Sequence, residues 1–180
     1  MLRALFVACF AANVSLALPA QAEMQIKEVI SPGGITAWLV EDHNIPFTAL
    51  EIQFRGGTSL DAPDKRGAVN LMTALIEEGA GDMDSRAFAE ARDALAADFS
   101  FDSGSDSVSV SVRFLTEFRD QSVTLLREAL VNPRFDQDAI DRVREQVLSI
   151  IRSDEKDPET LASNAFDRLA FGDHPYATDG

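Results

Sequence analysis

The spacing of hydrophobic positions changes several times along this chain, and each change marks a boundary between elements. Residues 25–31 (QIKEVIS) alternate apolar and polar positions, which predicts a strand. Pro32-Gly33-Gly34 reads as a turn and ITAWLVED (35–42) as a second strand, so the two predict a hairpin. Asn44-Ile45-Pro46 breaks the alternation. FTALEIQFRGG (47–57) is a third strand closed by Gly56-Gly57, and DAPDKRG (61–67) is a polar loop. From Gly67 to about Glu78 the spacing becomes helical. Val69, Met72 and Ile76 share one face, Leu71 and Leu75 flank it, and Gly79 stops the helix. Ser85 has the chemistry of an N-cap for a second helix, SRAFAEARDALAA, with Phe88, Ala91 and Leu95 on its buried face.

Alternation then returns. FSFDSGSDSVSVSVRF (99–114) reads as two antiparallel strands around a Ser-Gly-Ser-Asp turn, with one wet face. A third helix covers 118–131 and ends at Asn132-Pro133. Asp136 is expected to cap a long fourth helix to about Asp154, and Pro158 starts a fifth to about Ala170. The order βββ-αα-ββ-ααα, with strands mostly antiparallel and helices grouped, predicts an α+β fold.

Composition adds an export signal and a constraint on stability. Arg3 followed by LFVACFAANVSLAL and by Ala20-Gln21-Ala22 has the layout of a cleaved secretory signal, with cutting expected before Glu23. The apolar run is broken by Asn13 and Ser15, whereas a membrane span needs about 20 apolar residues. Residues 1–22 are therefore expected to be a signal peptide, 23–180 one domain, and the protein periplasmic with no membrane span after cleavage. Cys9, the single cysteine, falls in the signal, so the exported domain can use neither disulfides nor cysteine-bound zinc. With 16 Lys+Arg against 30 Asp+Glu the net charge is −14, which disfavours nucleic acid and anionic lipid.

Nearly the whole of the expected mature chain resembles the N-terminal domain of the pitrilysin/insulinase family of zinc peptidases, which includes mitochondrial processing peptidase. The resemblance is carried by FTALEIQFRGGTSLDAPDKRG leading into a helix, by the second helix and alternating strand pair, and by PRFDQDAIDRVREQVLSIIRSDEKDP followed by FGDHPYATDG. It implies an antiparallel sheet with helices packed on one face. It also implies a chain that stops short of a further strand and a second domain.

In active members the first helix bears His-x-x-Glu-His. Positions i, i+3 and i+4 share a helical face, so two histidines can hold zinc while the glutamate reaches the metal-bound water as general base. Here Asn70, Thr73 and Ala74 stand at those positions. The family's distant glutamate ligand lies 76 residues past the second histidine, a count that reaches Ile150. Alanine and isoleucine offer no donor, and asparagine and threonine are poor ones. No catalytic residue and no cofactor are therefore expected in this chain, and zinc is expected in an active partner.

Other chemistry is thin. His43 and His174 are not at ligand spacing, and Glu77-Glu78 reads as a solvated acidic helix end. Asp98, Asp102 and Asp106 lack the alternation and closing glutamate of a calcium loop. No Gly-x-Ser-x-Gly is present.

In the family, an extended peptide adds to an edge strand beside the metal helix. The resemblance places that strand at Phe99-Ser100-Phe101-Asp102. The resulting expectation is a non-catalytic subunit that pairs with an active zinc peptidase homologue, helping to hold extended peptide and close the chamber. A peptidase with an atypical metal site and a stand-alone peptide binder are the alternatives.

Overall fold

A computed structural model of the chain describes residues 25–177, so the expected signal peptide lies outside the described residues. The chain divides into two compact units at Ile45–Pro46. The described part of the first is a hairpin, β1 (Ile26–Ile30) paired antiparallel with β2 (Thr36–Val40) in the register Ile26↔Val40. The turn closes where Ser31 N–H donates to the carbonyl of Ile35, and an exposed Lys27–Glu41 ion pair bridges the strands.

The second unit holds the remaining elements. Strands β3 (Phe47–Arg55), β6 (Asp98–Ser103) and β7 (Ser107–Leu115) form one antiparallel sheet in the order β3-β7-β6. The alternation read from residues 99–114 fixes the two faces. Phe99, Phe101, Val110, Val112 and Phe114 point into the core, while Asp98, Asp102 and Arg113 stay exposed. On the wet face Ser100 opposes Ser111 and Asp102 opposes Ser109. Ser111 also donates to Glu51 on β3 at 2.5 Å.

Helices α1 (Ala68–Leu75), α2 (Ser85–Ala94) and α3 (Arg119–Val131) supply the other side of the core. Ile76, Phe88, Leu125, Leu126 and Ala129 pack against the sheet, and the Phe88 and Phe99 rings meet at 6.4 Å and 57°. α1 has a second apolar contact, through Leu75, with Ala139 and Val143 of α4 (Gln137–Asp154). α5 (Pro158–Phe171) has Pro158 in its first turn, and its N-cap Asp157 accepts from Thr160 N–H at 2.9 Å.

Two local expectations change. Ser85 is the first residue of α2 rather than its cap, because Asp84 is the N-cap and accepts from Ala87 N–H at 2.8 Å. Asp136 stands at the N-cap of α4 without capping it, because Arg134 holds its carboxylate at 2.7 and 3.2 Å.

A two-residue hairpin also lies between α1 and α2: β4 (Gly79–Ala80) pairs with β5 (Met83–Asp84). Gly79 has φ 127°, and a Cβ there would lie 2.8 Å from the Met83 carbonyl, so the stop requires glycine.

Candidate functional site

The vacated motif occupies α1 where the helix lies between β6 and α4. Its positions are now used for packing and internal bonds. Asn70, half-buried, directs its side-chain amide to the Ser103 hydroxyl at the end of β6, at 3.3 Å. Thr73 is buried, and its hydroxyl donates to the Asn70 carbonyl one turn back at 2.9 Å. Ala74 is exposed and carries no donor or acceptor on its side chain. On α4, Val143 and Val147 face α1, and Ile150 continues that stripe one turn further, exposed.

These groups do not fit zinc. Among the described residues, no three His, Cys, Asp or Glu side chains are grouped so that they could hold a metal ion. Asp98, Asp102 and Asp106 do not converge either. Asp98 and Asp102 lie on β6, where Asp102 accepts from Ser100 at 2.7 Å. Asp106 lies in the β6–β7 turn and accepts from the Tyr176 hydroxyl. His174 belongs to a small aromatic turn, its ring edge-on to Tyr176 at 4.5 Å and its Nδ1 accepting from Tyr176 N–H at 3.3 Å.

Glu77 and Glu78 are not a solvated helix end. Arg142 of α4 grips Glu78 through two bonds of 2.9 and 2.6 Å, and Ser85 donates to the same carboxylate at 2.6 Å. The hydrogen bonds from Arg142 hold the Glu78 carboxyl below the usual glutamate range, against the opposing effect of burial. Glu77 pairs with Arg92 of α2 at 2.5 Å, yet burial outweighs this pairing and raises its proton affinity. Sequence spacing gives no sign of these pairs, because the partners lie 15 and 64 residues away. The Glu78–Arg142 pair joins the turn that ends α1 to α4, the two helices whose corresponding positions would share the metal.

Phe99-Ser100-Phe101-Asp102 falls within β6, at one edge of the three-stranded sheet and packed beside α1. Phe99 and Phe101 are anchored in the core, with Ser100 and Asp102 on the outer face.

A sheet backed by helices, with a metal helix that cannot bind its metal, defines a peptidase-like domain without peptidase chemistry. Residues 36–179 match the model of the insulinase family (peptidase family M16), and the chain belongs to that family. The non-peptidase homolog YmxG of Helicobacter pylori is 27% identical over 157 residues, covering 87% of this chain and 36% of that protein. The crystal structure of a peptidase M16 inactive domain from Pseudomonas fluorescens superposes with TM-score 0.80 at 28% identity, over 86% of this chain and 38% of that one. A Helicobacter pylori protease shares the fold, with TM-score 0.74 at 15% identity, over 86% and 37%. The chain thus spans little more than a third of the length of these relatives. The substituted motif, together with relatives described as non-peptidase and inactive, makes this a non-catalytic domain of the family.

Proposed function

We propose that this chain is the substrate-holding, chamber-closing partner of an active zinc peptidase of the same family, working in the periplasm after its leader is removed. One observation carries the reading: β6 is an edge strand beside α1, a position from which an extended peptide could be held by strand addition. An extended peptide would pair along Phe99-Ser100-Phe101-Asp102 through its backbone, and zinc and the general base would come from the partner. The buried Phe99 and Phe101 side chains fix which face of the strand points inward.

The test is to mix the full chain with an active family member that carries an intact His-x-x-Glu-His helix. The expected results are a heteromeric complex on size exclusion and faster cleavage of a reporter peptide. Absence of both overturns the proposal. Peptide holding is measured separately by amide hydrogen exchange of the mixture. Residues 98–103 should slow on addition of an uncleavable extended peptide, and unchanged exchange there removes β6 from the reading.

A further inference from the structure

We propose that the groove between α2 and α3 is a second docking site, shaped for the apolar face of a basic amphipathic helix on a partner protein. This goes beyond the peptide-holding role of β6 and uses none of its residues. The groove has a volume of about 440 Å³, and Met83, Ala91, Leu95 and Leu125 form its apolar surface. These side chains also pack against the main core cluster, so the groove is built on fixed elements. Met83 adds an unbranched, adaptable surface of the kind suited to varied apolar partners.

Two features select the occupant. The first concerns the backbone. The walls are helices whose interior amides and carbonyls are bonded within the helix, so the groove offers little main-chain pairing. An extended segment lying there would leave its own backbone groups unpaired, whereas a helix satisfies them internally. The second is charge. Asp120, Thr124 and Glu128 recur at every fourth residue of α3 along one rim, and among the described residues no lysine or arginine lines the groove. The two carboxylates are separated by about 12 Å along the helix axis. Two turns of a docked helix cover the same span, so cations seven or eight residues apart would meet both. Asp120 and Glu128 now pair with Arg119 at 3.0 Å and Arg127 at 3.5 Å, arginines of the same helix outside the groove. Asn132 also donates to Glu128 at 2.9 Å. The Arg119–Asp120 pair is exposed and therefore weak, exchanging readily for a cation brought in by a partner, whereas Glu128 is partly buried and its pair with Arg127 is long. The net charge of −14 adds a long-range pull on the same partner.

The probe is a labelled synthetic helical peptide of about 18 residues, with leucines on one face and flanking lysines seven or eight apart. Fluorescence anisotropy follows its titration with the full chain at low and high salt. Binding should weaken at high salt. It should fall at least about tenfold, a loss of about 1.4 kcal/mol, in Asp120→Lys and in Thr124→Trp, which fills the groove from an exposed position. Circular dichroism checks that both variants stay folded. Glu145→Lys on α4 makes the same charge change at an exposed site outside the groove and should leave affinity nearly unchanged. Equal weakening by Glu145→Lys, equal binding of a composition-matched peptide with no apolar face, or absence of binding overturns the proposal.

Discussion

Removing the Arg142 side chain tests whether Glu78–Arg142 has become the link between α1 and α4. The Glu78 side chain is 17% exposed and that of Arg142 47%, with two bonds of 2.9 and 2.6 Å between them. A fully exposed pair contributes about 0–1 kcal/mol, whereas stranding a buried charge costs about 3–5 kcal/mol. This pair lies between those limits. Arg142→Ala leaves Glu78 largely desolvated, with Ser85 as its remaining hydrogen-bond donor in the cluster. The exposure of the arginine discounts the higher figure, so a loss of about 1.5–2 kcal/mol is expected.

For a chain of this size that loss corresponds to a fall in Tm of about 3–8 °C. Thermal and urea denaturation of the two proteins measure it directly. Acid provides the discriminating arm. The folded-state pKa of Glu78 is lowered, so its contribution is complete above the usual glutamate range and disappears as pH falls through the folded value. The gap between wild type and Arg142→Ala should therefore close in acid. A gap below about 0.5 kcal/mol near neutrality, within the range of an ordinary surface substitution, would refute the linking role. So would a gap that persists unchanged once Glu78 is protonated.

Gly57→Ala should be severely destabilising, because a Cβ there would lie 2.0 Å from the Gly104 carbonyl oxygen and 2.8 Å from Ser107 N; a loss of about 3 kcal/mol or more in urea is expected. Glu77→Gln should flatten the pH dependence of stability. Burial raises the folded-state pKa of Glu77, so the wild-type contribution is fully present below the unfolded value and declines as pH rises through the folded one. Denaturation midpoints across the acid range check this. Elemental analysis should find no stoichiometric zinc in the purified full chain. The combined substitution Asn70→His, Thr73→Glu, Ala74→His and Ile150→Glu should introduce zinc binding and a zinc-dependent rise in Tm.

The element order was legible because its signals are periodic and long. The alternation from Phe99 to Phe114 anticipates β6 and β7, and Phe88 lies fully buried on the face that helical spacing gives it. The β4–β5 hairpin was not legible, since two residues per strand carry no period. α1 ends at Leu75, short of Glu78, because Ile76 and Glu78 N–H groups bond three residues back to Thr73 and Leu75 and tighten the last turn. The vacated metal positions could be read from spacing within one helix and one long count. The acidic pairs could not, since Glu78 meets Arg142 only after α4 folds back onto α1.

The buried Thr73 side chain makes loss of the metal site hard to reverse one substitution at a time. A glutamate introduced there alone would carry a carboxylate into a buried position, where an unpaired charge costs several kcal/mol. A histidine at position 74 or a glutamate at position 150, introduced alone, would have too few companions to retain a metal. At these three positions, each single step back toward hydrolysis is therefore either destabilising or too small to restore a metal site. The helix behaves as a ratchet, and a lineage that reaches this state can change its contacts more readily than recover its chemistry.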